Sequence, residues 1–163
     1  MNSFGINTVS GMLSKAEREL ERMESAIDSF SKRDAAINCA LTIWHLNDWL
    51  WVASKRFKND PALMKEMGVS GRSVNENDIP AWVERNCPDI VYCQAVATGS
   101  KHVRFNNRNT TDTQFHDGPG GAMMWDSGPI LIIDNNERRD AADVYINCIG
   151  FWRSLHRDYI VTY

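Results

Sequence analysis

Apolar residues between Val9 and Phe30 recur mostly at steps of three and four. Because an α-helix turns once every 3.6 residues, this spacing gathers them on one side of a helix. Glutamates fill the other faces, at Glu17, Glu19, Glu21 and Glu24. The pattern therefore predicts an amphipathic helix with one buried stripe, formed by Val9, Met12, Leu13, Ala16, Leu20, Met23, Ile27 and Phe30.

The stretch from Arg33 to Phe57 predicts a second, longer helix with Asp34 as its cap. It is apolar nearly all round, so we expect it in the middle of the protein. Its polar exceptions follow one another at steps of four and three, which places them on one face or its edge. They are Asn38, Thr42, His45 and Asp48.

Three further helices are predicted after the second one. A short helix covers residues 59–68, with Asp60 as its cap and Gly68 at its end. Another short helix covers residues 78–86. A third main helix then starts at Pro88 and closes near His102, just after Gly99.

Beyond His102 the pattern changes from helical spacing to turn-rich sequence. Residues 106–128 are rich in Asn, Thr, Asp, Gly and Pro, and predict an irregular excursion. The segments "AMMW" (122–125) and "PILIID" (129–134) are strand candidates. The residues between them, Asp126 to Gly128, suit a tight turn, so the two segments predict a β-hairpin.

The last helix is predicted from Asp140 onwards. Its apolar positions alternate at steps of four and three, which is typical of a bundle seam, and they are Ala141, Tyr145, Cys148, Trp152, Leu155 and Tyr159. The expected fold is a mainly α, four-helix bundle with short extra helices and a β-hairpin before the last helix. We expect residues 1–163 to form a single domain.

Composition narrows the class of protein. The chain has 163 residues, 43% of them apolar, and a net charge of -3. The acidic balance argues against a general nucleic-acid coat but allows a local basic site. No apolar run is long enough to span a bilayer, and the N-terminus does not resemble a signal peptide. We expect a cytoplasmic protein whose four cysteines stay reduced, Cys39, Cys87, Cys93 and Cys148.

The stretch "ATGSKHVRFNNRN" gathers the candidate chemistry. Lys101, His102, Arg104 and Arg108 fall within eight residues that contain no acid. Such cations could hold a phosphodiester while the imidazole of His102 moves a proton. A structural role is the alternative, because Lys and His side chains at a helix C-terminus also complement the exposed carbonyls and the helix dipole.

A second candidate is the polar network of the long helix. Asp48 lies one turn after His45 and could orient its imidazole, or the two could simply satisfy each other in an apolar helix. We expect this network to meet His102. The side chains of His45, His102, His116, Asp48 and Asp117 could supply metal ligands, but their spacing matches no ligand motif, so neither a metal nor another cofactor is expected.

Three segments carry a resemblance to known proteins. They are "AINCALTIWHLNDWLW", "AVATGSKHVRF" and "AADVYINCIGFWRSL". Together they resemble a family of small uncharacterised bacterial and phage proteins, over roughly residues 34–155. The arrangement is in turn similar to HEPN domains, which are four-helix bundles of toxin–antitoxin and other defence systems. Active HEPN members are dimeric, metal-independent ribonucleases.

The HEPN resemblance implies a catalytic role for His102. In that motif an arginine precedes the histidine by four to six intervening residues, which here correspond to Ala97, Val96 and Ala95. None of these is basic, and Gln94 lies one position too far upstream. If the chain is an enzyme, the cation must come from Lys101 or Arg104.

Two classes of function follow from these observations. One is an RNA-directed defence or toxin–antitoxin protein, in which Arg104 and Arg108 contact nucleic acid. The other is a non-catalytic helical module that dimerises or binds a protein partner. The long apolar helix favours an interface, and Trp125 and Trp152 are expected to add to its surface.

Overall fold

The computed structural model of the protein describes residues 5–54, 64–65, 67–69, 71–72, 74–101, 112–115, 130–134 and 137–155. The chain is mainly helical, as the sequence predicts. The helices are α1 (Val9–Ser25), α2 (Ser29–Ser54), α3 (Asp78–Asn86), α4 (Ile90–Lys101) and α5 (Ala141–Leu155). The strands are β1 (Asp112–Phe115), β2 (Ile130–Asp134) and β3 (Glu137–Asp140).

The junction between α1 and α2 differs from the sequence prediction. The helix α1 begins after Thr8, whose hydroxyl accepts a hydrogen bond from the Gly11 amide at 3.0 Å, but it ends at Ser25 rather than at Phe30. Asp28 accepts a hydrogen bond from the Ser31 amide at 2.9 Å, and so starts α2 six residues before the predicted cap, Asp34. This hydrogen bond lowers the pKa of Asp28.

The long helix α2 lies among the other helices. It contacts α1 most extensively and also packs on α3, α4 and α5. Its inward side chains Cys39, Ala40, Ile43 and Leu46 have no exposed surface. The prediction of a central second helix is therefore confirmed.

The short helix α3 covers the predicted residues 78–86. Asp78 at its start receives two hydrogen bonds from the Arg72 guanidinium, at 2.6 and 2.7 Å, and one from the Asn75 amide at 2.7 Å. The Arg72 hydrogen bonds are the main cause of a lowered pKa at Asp78. Upstream, Gly68 has φ 71, the left-handed conformation expected of the residue that ends the predicted helix 59–68.

Among the described residues, the β-element is a three-stranded antiparallel sheet rather than the single predicted hairpin of residues 122–125 and 129–134. The strand order is β1-β2-β3, with Asp112 opposite Ile133 and Ile132 opposite Arg139. The segment "PILIID" is a strand, as predicted. Its first partner, however, is β1, which falls inside the excursion predicted at 106–128, and β3 was not predicted. The other proposed strand, 122–125, lies outside the described residues.

The helix α5 supplies the seam that its spacing predicts. Asp140 caps it by accepting a hydrogen bond from the Ala142 amide at 2.8 Å. Five of the six predicted seam residues are buried, Ala141, Tyr145, Cys148, Trp152 and Leu155, and the sixth, Tyr159, lies outside the described residues. Trp152 is 1% exposed, so the prediction that it adds to an interface is wrong, while Trp125 lies outside the described part of the chain.

Candidate functional site

The polar stripe of α2 meets α1 at Thr42. The Thr42 hydroxyl is buried, donates a hydrogen bond to the Asn38 carbonyl at 2.6 Å and accepts one from Lys15 Nζ at 2.7 Å. Asn38 itself is exposed. A buried hydroxyl needs such partners, and here helix α1 provides the second one.

Lys15 belongs to a charged cluster that is not among the sites predicted from the sequence. Its Nζ lies 3.3 Å from Glu19 Oε1, and Arg22 Nη1 lies 3.1 Å from the same oxygen. Glu19 is only 5% exposed, although its place in a run of glutamates predicted a solvent-facing position. Two cations therefore compensate one buried carboxylate between α1 and α2.

Cys39 lies beside this cluster. Its thiol donates a hydrogen bond to the Ala16 carbonyl at 3.5 Å. Burial and, secondarily, the charge of Glu19 raise the pKa of Cys39 to about 12. A thiol of this kind stays protonated at neutral pH, which suits a packing role rather than nucleophilic catalysis.

His45 and Asp48 lie nearer to solvent. His45 is half-buried and Asp48 is exposed. Over the ranges that the structure describes, no hydrogen bond or ion pair joins their side chains. The pair is thus accessible from outside, but His45 is not held by the carboxylate one turn away.

The basic stretch continues from the end of α4. Lys101 is the last residue of that helix. His102, Arg104 and Arg108 lie outside the described residues, as do His116 and Asp117. The proximity of His102 to His45 and Asp48 stays a prediction. Within the described ranges, no group of three or more His, Cys, Asp or Glu side chains is arranged to hold a metal ion.

The three positions that the resemblance to HEPN domains would give to the arginine lie on α4. Ala95 and Ala97 are buried, at 6% and 2% exposure, and Val96 is half-buried. The neighbouring Gln94 is exposed. Two of the three positions therefore belong to the packed interior, where a guanidinium would be desolvated.

An apolar face runs along the outside of α2. Phe30, Ile37, Trp44 and Trp51 repeat at intervals of seven residues. Phe30 and Ile37 are 66% and 39% exposed, and the two tryptophans are half-buried. Leu41, half-buried, and Val52, 61% exposed, lie beside this row. We call these six residues the α2 face; a two-turn repeat of large apolar side chains is typical of helix pairing.

An ion-pair cluster joins β3, α4 and α5. Arg139 Nη1 lies 3.1 Å from Asp89 Oδ1, and Asn147 Nδ2 donates to Asp89 Oδ2 at 2.9 Å. The Arg139 guanidinium also lies over the Tyr92 ring, 5.4 Å from its centre. Its neighbour Arg138 is exposed, so of the two arginines on β3 Arg139 is the one that joins these elements.

A small groove of about 130 Å³ separates α1 from α5. Leu20, Ile146 and Ile149 line its apolar part, and Glu17 lies at its edge. Arg153 Nε donates to Glu17 Oε1 at 2.7 Å. This ion pair neutralises one of the three glutamates that line the groove and links α1 to α5 at the surface.

Comparison of the chain with protein-family models, with curated proteins and with solved structures found no match. No helix within the described ranges combines the length and the apolar character that crossing a membrane requires. Function must therefore be argued from the residues and from the geometry of the chain itself.

Proposed function

We propose that this chain is a non-catalytic helical interaction module, related to HEPN-like four-helix bundles, that forms a homodimer through the α2 face. The observation that carries the proposal is the row of large apolar side chains at seven-residue intervals, in which Phe30 and Ile37 are exposed and the two tryptophans are half-buried. Phe30 and Val52 are each more than 60% exposed, although they stand on the helix that is central to the core. Burial of such a row against a second helix is favourable.

The charges on α2 favour a second copy of the same helix in antiparallel orientation. A two-fold axis midway between Ala40 and Leu41 brings Arg33 of one copy level with Asp48 of the other. The same register places Phe30 level with Trp51 and Ile37 level with Trp44. A shift by one residue would instead bring Asp34 level with Asp48, which is repulsive. One register thus pairs the apolar residues and the opposite charges together.

The residues of α4 support a non-catalytic module over a ribonuclease. The HEPN mechanism requires a cation upstream of His102, and the equivalent positions here are alanine and valine. None of these side chains carries a charge, so α4 offers no cation to a phosphate at these positions. Ala95 and Ala97 are in addition packed inside the protein. The bundle can persist without that chemistry, since its stability depends on the buried seam and not on the site.

The second candidate function is RNA-directed defence or toxin activity. It is favoured by the clustering of Lys101, His102, Arg104 and Arg108 in an otherwise acidic chain. In this role His102 would act on RNA with Lys101 or Arg104 as the cation. Overexpression that arrests growth, with relief by His102→Ala, would favour this function over the module. If overexpression of neither the wild type nor the His102→Ala variant slows growth, the non-catalytic module is favoured.

Sedimentation velocity tests the homodimer. We expect the wild-type chain to be dimeric at high micromolar concentration, and Ile37→Asp to make it monomeric, because a carboxylate in the apolar row would be desolvated. Ile146→Asp is the matched control: Ile146 is 48% exposed, but on α5, away from the α2 face. A wild-type monomer, or a dimer that Ile37→Asp does not weaken, would refute the proposal.

Charge exchange tests the orientation. Arg33→Asp and Asp48→Arg should each weaken the dimer, because each places like charges at the same level of the two helices. The double variant restores opposite charges, and we expect it to recover most of the lost affinity. Equal weakening in the single and double variants would rule out the antiparallel register.

A further inference from the structure

Three of the four cysteines converge inside the protein from three different elements. Cys87 follows the last residue of α3, Cys93 lies on α4 and Cys148 lies on α5. The Cys148 sulfur lies 3.7 Å from that of Cys87 and 4.0 Å from that of Cys93. All three are free thiols, and none is more than 6% exposed. We call them the thiol trio.

We propose that Cys148 is the shared member of an oxidisable thiol pair, which forms a disulfide with Cys87 when the protein meets a hydroperoxide. Cys93 is the second possible partner. Cys148 occupies the middle position, because it contacts both other sulfurs. The proposal is independent of the homodimer, since none of the three residues belongs to the α2 face.

The geometry is close to what a disulfide needs. The bonded sulfurs of a disulfide are about 2.0 Å apart, so the Cys87 and Cys148 sulfurs must approach by roughly 1.7 Å. Cys87 lies at the C-cap of α3, outside both flanking helices, with backbone angles of φ -140 and ψ 79 that are not helical. Its amide donates to the Val83 carbonyl at 2.7 Å and its carbonyl accepts from the Ile90 amide at 3.0 Å, so a shift of Cys87 loosens hydrogen bonds at two helix ends only, whereas Cys93 is held inside α4.

The chemistry consumes one hydroperoxide for each disulfide. One thiol loses its proton and attacks a peroxide oxygen; the O–O bond breaks, leaving a sulfenic acid and releasing an alcohol, or water from hydrogen peroxide itself. The second thiol attacks the sulfenic sulfur, forms the S–S bond and expels water. The two sulfurs together give two electrons to the peroxide.

Burial and the raised pKa of the thiols make this oxidation slow, unlike that of a catalytic cysteine. The contact with Cys148 and burial raise the pKa of Cys87, so little thiolate is present at neutral pH. Peroxide must also enter a packed interior, so reaction requires a local opening around the turn that carries Cys87. We therefore expect slow oxidation, which then ties together residues 61 positions apart.

Mass spectrometry of the intact, full-length protein treated with hydrogen peroxide tests the proposal. We expect the mass to fall by two hydrogens, and non-reducing peptide mapping to join Cys87 to Cys148. The melting temperature should rise by roughly 5 to 15 °C, because the bond closes a long loop. Cys39→Ala is the matched control: Cys39 is equally buried but bonds to a carbonyl, and this variant should oxidise like the wild type.

The trio variants separate the two possible pairs. Cys87→Ala should redirect the bond to Cys93 and Cys148, and Cys148→Ala should form no disulfide within the chain. A natively folded wild type that keeps four free thiols under peroxide overturns the proposal, whether or not Cys148→Ala folds. A bond between Cys87 and Cys93 that persists in Cys148→Ala overturns it as well.

Discussion

The charged cluster between α1 and α2 yields a quantitative prediction through Lys15→Met. This change removes the ammonium that lies 3.3 Å from Glu19 and 2.7 Å from Thr42. Loss of one partner from a buried pair costs about 3–5 kcal/mol. Here Arg22 still contacts Glu19, and the Lys15 side chain is 32% exposed. We therefore expect a loss of about 1–2 kcal/mol in the free energy of unfolding.

Urea unfolding followed by far-ultraviolet circular dichroism measures this loss, and Glu19→Leu completes a double-mutant cycle. With the carboxylate gone, removal of Lys15 no longer leaves a buried charge with a single partner. The double variant should thus be less destabilised than the sum of the single ones, by about 1 kcal/mol. Additive losses, or a Lys15→Met protein as stable as the wild type, would show that the cluster is not coupled.

Three further predictions concern stability. Asp78→Asn should lower the unfolding free energy by about 1 kcal/mol at neutral pH. Because Arg72 lowers the pKa of Asp78 in the folded protein, the stabilisation by Asp78 is present above about pH 3.9 and is lost as the pH falls through the folded pKa. The unfolding free energies of the wild type and of Asp78→Asn, measured in urea, should therefore become equal in acid. Trp152→Ala should cost about 3–5 kcal/mol by calorimetry, since its ring is 1% exposed. Ala97→Arg should lower the melting temperature strongly and Gln94→Arg should not, because only the first position is buried.

The helices could be predicted because the apolar residues recur with the helical period on the side of each helix that is buried. The spacing fails at the end of α1, where Ile27 and Phe30 continue the period although they are 70% and 66% exposed. Asp28 decides that boundary through its hydrogen bond to the Ser31 amide. Two aspartates, Asp28 and Asp34, were equally suitable caps by residue type, and the apolar pattern favoured the wrong one.

The strands β1 and β3 could not be read from their own residues. Their sequences are "DTQF" and "ERRD", which lack an apolar alternation. Both pair with β2, "ILIID", which has the apolar content of a strand. Their extended structure is thus imposed by a neighbour, which is how tertiary pairing overrides intrinsic propensity in sheets.

Part of the candidate site was visible in the sequence. The polar stripe on α2 indicates that a partner is needed at Thr42, but it does not say which element supplies one. By residue type alone, Lys15 is typical of an exposed position on an amphipathic helix. Its spacing of four from Glu19, with Arg22 three residues further on, was the available signal for a charged cluster. Burial of Glu19 follows only from the packing of α1 on α2.

The proposed homodimer uses an exposed surface, and the proposed disulfide uses buried thiols, so the two proposals can be tested independently. The helix α2 is committed to the core through Cys39, Ile43 and Leu46, yet it still exposes Phe30 and Val52, so its apolar surface exceeds what the described elements cover. The thiol trio instead lies where α3, α4 and α5 meet and is fully covered. Oxidation should therefore stabilise the protein without changing its association, while Ile37→Asp should change association without altering the disulfide. If peroxide dissociated the dimer, the α2 face could not be an interface separate from the trio.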